Sequence, residues 1–303
     1  MKHKANIAAS VKARLLNISR DRGEDFNLIL GRYALERLLY RVCQSVHADQ
    51  FILKGAMLFA LWSDDPHRAT RDLDFLKFGD ARAEELQRLF QEVAQIEVED
   101  DGLEFLPKTV QAARIRNDNE YGGIRTNMRA VLGSARIGVQ VDVGFGDVVT
   151  PDPDVVTYPT LLDSPAPRLR CYPRETVVAE KFQAMVHLGL GNSRMKDYYD
   201  VWVLASHFDF DGNTLAEAIA RTFERRTTAL PAKVPQGLGL EFKRDVAKTN
   251  QWRAFVRKGM LVHNQLALED VCDFILEFLL PPTMAKAGHG GFDKFWSAPG
   301  PWK

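Results

Sequence analysis

A chain of 303 residues with 46% hydrophobic side chains excludes large-scale disorder and can bury a sizeable core. Lys+Arg and Asp+Glu both total 40, which excludes a global field drawing the protein to nucleic acid or an acidic membrane surface, so any polyanion site has to be a local patch. The three cysteines, Cys43, Cys171 and Cys272, are odd in number and lack metal-ligand spacing, which argues against a disulfide framework and against zinc. The N-terminus lacks a long apolar segment, and no later run approaches the ~18 apolar residues of a membrane span. The expectation is a soluble, unexported, cytoplasmic protein with no membrane partner.

In chain order, apolar residues at helical spacing from about Ile7 to Val46 predict amphipathic helical scaffold. "FILK" reads as a short buried strand, Gly55 as a tight exit, and "AMLFALW" as a helix directly behind it. "RDLDFLKF" is the next strand and "ARAEELQRLFQEVAQI" a helix. Leu103 to Asp147 holds several β segments, ending in the alternating "GVQVDVGF". The Pro-rich stretch from Pro151 to Pro167 reads as a linker. Helical patterns follow in "PRETVVAEKFQAMVHL", "RMKDYYDVWVLASHF", "NTLAEAIARTFERR" and "LEDVCDFILEFLL", and the Gly- and Pro-rich tail from about Pro281 reads as irregular. The pattern predicts an α+β lobe with a mixed sheet over residues 1–165 and a mainly helical lobe over 166–303. From Arg221 to Met260 ten Lys/Arg stand against three acids, so this region is locally basic.

In a strand, residues two apart project to one side, so Asp72 and Asp74 point together while Leu73 and Phe75 face the core. Two such carboxylates suit Mg²⁺ (or Mn²⁺) bridging to phosphates, although a bare D-x-D also fits a solvated strand end. Asp142, on the polar face of "VQVDVGF", supplies a third carboxylate if its strand neighbours the first; otherwise it simply faces solvent. Gly55 offers backbone N–H groups at a helix start, where phosphates bind favourably, or is a plain turn glycine. Lys54, Arg68 and Arg71 can add countercharge to a triphosphate or remain surface cations. Lys181 falls inside the apolar arc of its helix, where it must snorkel, pair with an acid or serve a site. Asp197 and Asp200 share a face of the next helix, where a first-turn acid also complements the helix dipole.

Taken in order, "LKGA", "RATRDLDF", "VQVDVGF", "AEKFQAMVHLG" and "RMKDYYDVWVL" resemble the AbiEii/AbiGii toxin family of nucleotidyltransferases, MenT-like toxins among them, from about Ile7 to Phe208. The resemblance implies a DNA polymerase β-like nucleotidyltransferase lobe joined to a helical lobe. It makes Gly55 the nucleotide-binding turn, Asp72 and Asp74 the metal-binding acids, and Lys181 and Asp197 the later catalytic Lys and Asp, with Asp142 as third acid. Ala56 stands where the family usually has a second Gly or a Ser; its backbone N–H remains and a hydroxyl contact is lost. The implied activity is that of the toxin in a toxin–antitoxin or phage-defence pair, with an antitoxin partner that is AbiEi-like or unrelated. Such a toxin would use an NTP with Mg²⁺ to add nucleotides to the 3′ acceptor end of tRNA. Two other readings remain: the same lobe acting on a protein or small molecule, and a non-catalytic binding protein with a degenerate site.

Overall fold

The computed structural model describes residues 2–63, 70–80, 82–115, 122–259 and 266–303, and the chain divides into two compact units. The first comprises Met1–Gly146 and Asp154–Cys171. It opens with helices α1 (Lys2–Arg22) and α2 (Phe26–Gln44). The Asp25 carboxylate starts α2 by accepting from the backbone N–H groups of Asn27 and Leu28 at 2.9 and 3.2 Å. Then come β1 (Phe51–Lys54), α3 (Phe59–Trp62), β2 (Asp72–Lys77), α4 (Ala83–Val93), β3 (Leu103–Arg114), β4 (Ile124–Leu132), β5 (Ala135–Phe145), β6 (Asp154–Thr157) and β7 (Arg168–Cys171).

The strands form one seven-stranded sheet in the order β3-β4-β5-β2-β1-β7-β6. It is mixed, as expected: β2 runs parallel to β5 and β1 to β7, while the other neighbours are antiparallel. Helix α2 packs on β5 and α4 on β3, which accounts for the alternation along β4. Ile124, Met128, Ala130 and Leu132 are buried, whereas Arg125, Asn127 and Arg129 are exposed.

The stretch from Pro151 to Pro167 is not a linker. It contains β6, which pairs with β7, and the buried Tyr158, whose hydroxyl donates to the Met57 carbonyl at 3.1 Å. The prolines are tolerated because β6 is the sheet's edge strand and every proline of the stretch lies outside its paired positions. Behind it lies a buried polar cluster. Arg41 grips Asp101 through two bonds of 2.7 and 3.1 Å, Arg37 reaches the same carboxylate at 3.2 Å, and Glu36 accepts from the Leu161 N–H at 2.7 Å.

The second unit comprises Asp147–Pro153 and Tyr172–Lys303, so the division falls after Cys171 and part of the Pro-rich stretch belongs to the helical unit. It contains α5 (Arg174–Leu188), α6 (Met195–His207), β8 (Phe210–Asp211), α7 (Gly212–Arg225), α8 (Leu240–Arg244), α9 (Val246–Gly259), α10 (Leu268–Ala287) and β9 (Phe295–Trp296). Helices α5 and α7 pack together, as do α10 with α6 and α7, around Phe182, Phe223, Ile275 and Phe278.

The irregular tail expected from Pro281 is instead ordered. Helix α10 continues through Pro281 and Pro282 to Ala287, and β9 then pairs with β8, burying Trp296. A proline inside a helix orphans the carbonyl four residues before it. Pro282 orphans that of Phe278, and the Trp302 indole N–H takes it at 2.9 Å, so the tail itself satisfies the helix it follows.

Candidate active site

Sheet register builds the site. In the parallel pair β2 and β5, Asp72 stands opposite Gln140 and Asp74 opposite Asp142; in the antiparallel pairs, Lys54 stands opposite Asp74 and Arg125 opposite Asp142. Lys54, Asp74, Asp142 and Arg125 therefore form one row across four adjacent strands. Carboxylate oxygens of Asp72, Asp74 and Asp142 lie within 4.8 Å of one another, all three residues being half-buried. Thr70 donates through its hydroxyl to Asp72 at 2.8 Å and holds that carboxylate in place.

Arg125 closes the row with a bidentate contact, its Nε and Nη2 donating to the two Asp142 oxygens at 2.8 and 2.7 Å. These bonds raise the guanidinium's pKa above its ordinary value, and the charges of Asp142, Asp72 and Asp74 add to them against the opposing effect of burial.

Gly55 has φ +75, a left-handed conformation that favours glycine. A Cβ built there would lie 2.6 Å from the Asp74 Cγ and closer still to its Oδ2. The space that a side chain would fill is thus taken by the Asp74 carboxylate. The segment behind Gly55 is a 3₁₀ turn over Gly55–Leu58, followed by the four residues of α3, so the expected helix is short and its dipole correspondingly small. Ala56 is buried in that turn, Lys54 is half-buried, and Arg71 is exposed; Arg68 lies outside the described residues.

Three hard oxygen donors converging in this way, with room for Asp74 secured by the missing Cβ of Gly55, fit a divalent cation of the Mg²⁺ or Mn²⁺ class.

In the helical unit, Lys181 of α5 donates to Asp197 at 2.9 Å and to Asp200 at 2.8 Å, both on α6. The two acid side chains are 1% exposed and that of Lys181 14%, so the lysine in the apolar arc is satisfied by the acid pair rather than by snorkelling. Burial by itself would raise the Asp197 pKa; Lys181 and Arg194, the latter 2.6 Å away, overcome it and hold Asp197 below the usual carboxylate range. The basic region from Arg221 is less free than its composition suggests. Arg226 pairs with Asp147 and Glu180, Lys243 with Asp273 and Glu269, and Arg244 with Glu269.

Sequence reasoning missed Thr70 and Arg125. Thr70 carried no signal beyond its place before the acids. Arg125 was readable, because the tight turn at Gly133 and Ser134 sets the hairpin register that places it opposite Asp142.

Among the described residues no helix is long and apolar enough to cross a membrane. Two solved structures from Helicobacter pylori are similar to the chain. JHP933 is 15% identical with a TM-score of 0.46, over 84% of this chain and 91% of its own. A candidate nucleotidyltransferase is 15% identical with a TM-score of 0.47, over 86% of this chain and 96% of its own. Among curated proteins none matches the chain significantly. Residues 37–274 match the family described as the nucleotidyl transferase AbiEii toxin of type IV toxin–antitoxin systems, and the chain belongs to that family of nucleotidyltransferases, with its polymerase β-like mixed-sheet lobe.

Proposed function

We propose that this nucleotidyltransferase is a toxin that uses an NTP and Mg²⁺ (or Mn²⁺) to add a nucleoside monophosphate to the 3′ acceptor end of tRNA, releasing pyrophosphate and blocking translation in the cytoplasm. The observation that carries this reading is the acid row: Asp72, Asp74 and Asp142 converge from two parallel strands. Asp72 and Asp74 would hold the divalent cation, which when bound supplies charge neutralisation for the triphosphate.

Each remaining step belongs to residues of this chain. The N–H groups of Gly55 and Ala56, with Lys54 and Arg71, would meet the phosphate charge, and Arg68 would add countercharge. Asp142 orients the attacking hydroxyl and accepts its proton once Arg125 lets go of the carboxylate. The hydroxyl then attacks the α-phosphate in line with departing pyrophosphate, so catalysis is mainly positioning and charge compensation. Lys181 and Asp197 retain a proposed catalytic part, the lysine as a cation for phosphate oxygens and the acid as a second orienting carboxylate. What supports it is the lowered Asp197 pKa in a buried cluster where Lys181 pairs with that acid. The family is that of toxins with an antitoxin, so the proposal extends to an AbiEi-like or unrelated antitoxin as partner.

The test is incubation of purified protein with Mg²⁺, total tRNA and each α-labelled NTP in turn, with Asp74→Ala as control. Label is expected on tRNA with the wild type alone, and not on tRNA whose 3′-terminal ribose has been oxidised. Label appearing on protein or on a small molecule instead would overturn the tRNA assignment.

A further inference from the structure

The open face of β3, β4 and β5 continues from the acid row as a strip of cations and amides. On β4 it presents Arg125, Asn127 and Arg129, all exposed, and on β5 Arg136, Gly138 and Gln140. Asn127 stands opposite Gln140, and Arg129 opposite Gly138. Successive outward residues on one strand are ~7 Å apart, so the strip leads stepwise away from Asp142. Among the described residues Arg129 and Arg136 make no ion pair with a carboxylate, whereas surfaces ordinarily intersperse both signs. The one acid of β3 on this side, Glu104, stands at the far end beside Val131. At Gly138 nothing lies within 4 Å of where a Cβ would be, leaving a flat shelf next to Arg129.

We infer that this strip seats the acceptor as a single-stranded polynucleotide, its 3′ hydroxyl at the acid row and its upstream phosphodiesters on Arg129 and Arg136. Arginines suit phosphate oxygens, and the exposed amide of Asn127 offers a donor and an acceptor to ribose and base edges. The inference rests on the reading of the acceptor as RNA. It moves the expected polyanion contact from the compositionally basic region after Arg221, where several cations are already paired, to Arg129 and Arg136 on the strip that leads away from the acids.

The test compares the wild type with the Arg129→Ala/Arg136→Ala double variant and with Lys12→Ala/Arg20→Ala, which removes the same charge from the exposed side of α1. Binding of a fluorescent single-stranded RNA is followed by anisotropy across salt, and acceptor and nucleotide KM values are measured for transfer. Thermal melts confirm that the variants fold. The strip variant is expected to bind at least ~10-fold more weakly with a salt slope smaller by ~1.4, two phosphates at ~0.7 each. Its acceptor KM rises while its nucleotide KM stays, and the α1 control follows the wild type. Affinity and slope unchanged from the wild type would overturn the seat, and so would an equal loss in the α1 control. If the wild type transfers to RNA and the strip variant's acceptor KM does not move, the seat falls and the transfer reading stands. If no RNA is labelled but binding weakens only in the strip variant, the strip binds RNA but is overturned as the acceptor's seat, and the transfer reading falls. A wild type that does not bind RNA removes both.

Discussion

Replacing Gly55 by Ala tests whether the Asp74 carboxylate truly occupies the place of a side chain. Two costs are separable. A non-glycine residue at φ +75 costs about 1–2 kcal/mol for the left-handed backbone. The added Cβ would also sit 2.6 Å from the Asp74 Cγ and 2.7 Å from its Cβ, so the acid must swing out or the strands must part. Overpacking of this kind costs about 1–3 kcal/mol. Gly55→Ala in the wild type is therefore expected to lose about 2–5 kcal/mol, the sum of the two. In an Asp74→Gly background the second cost vanishes and only the backbone part, about 1–2 kcal/mol, remains. The assay is urea unfolding of the four proteins of this double-mutant cycle, whose coupling isolates the Gly55 and Asp74 contact. Equal loss in both backgrounds would refute the seating of Asp74 over Gly55, and with it the reason given for a glycine there.

Three further outcomes follow from buried polar groups. Burial pushes the Glu36 carboxyl up to about 7 from 4.5, against the opposing Leu161 N–H and Arg37. Its contribution is complete below pH 4.5 and is lost as pH rises through about 7, by about 3 kcal/mol at most. Glu36→Gln should accordingly gain stability relative to wild type between pH 5 and pH 8 in urea titrations, and parallel curves would exclude it. Lys181→Met removes the lysine cation shared by the buried Asp197 and Asp200, leaving Asp197 with Arg194, and should cost about 3–5 kcal/mol near neutral pH. The Asp197 pKa is lowered, so the stability it supplies is lost only as pH falls below 3.8, and the gap between variant and wild type should narrow there. A loss below about 1 kcal/mol, the size of an exposed pair, would show that the cluster does not behave as buried. Trp302→Phe strands the Phe278 carbonyl and should cost about 1–3 kcal/mol in thermal or urea unfolding. Adding Pro282→Ala restores a backbone donor at that place, so an undiminished cost in the double variant would contradict the proposed satisfaction of the helix by its tail.

Much of the site was legible because it depends on short-range pattern. Alternation put Asp72 and Asp74 on one side of β2 and Asp142 on the polar side of β5. What periodicity could not supply was the pairing of β2 with β5. The two strands are parallel and separated by α4, β3 and β4, so no turn between them sets their register. Arg125 differs, since its hairpin register follows from the tight turn and places it opposite Asp142. The linker and tail expectations fail for one reason: Pro and Gly do not by themselves mark irregular chain. Here an edge strand accommodates the first set, and the Trp302 indole N–H compensates Pro282 of α10. The same limit applied to the region after Arg221, where composition counts cations but not the acids that fold against them.

The cluster of Asp72, Asp74 and Asp142 is the proposed catalytic centre of this nucleotidyltransferase. Its most direct test is the single-turnover rate of nucleotide transfer from an α-labelled NTP in Asp72→Asn, Asp74→Asn and Asp142→Asn, beside the wild type and with unfolding midpoints measured on the same preparations. The row predicts a fall of at least ~10²-fold in each variant with folding retained, since each removes charge and keeps shape. Transfer within ~10-fold of wild type by any well-folded member of the three, less than about 1.4 kcal/mol of transition-state stabilisation, would contradict it.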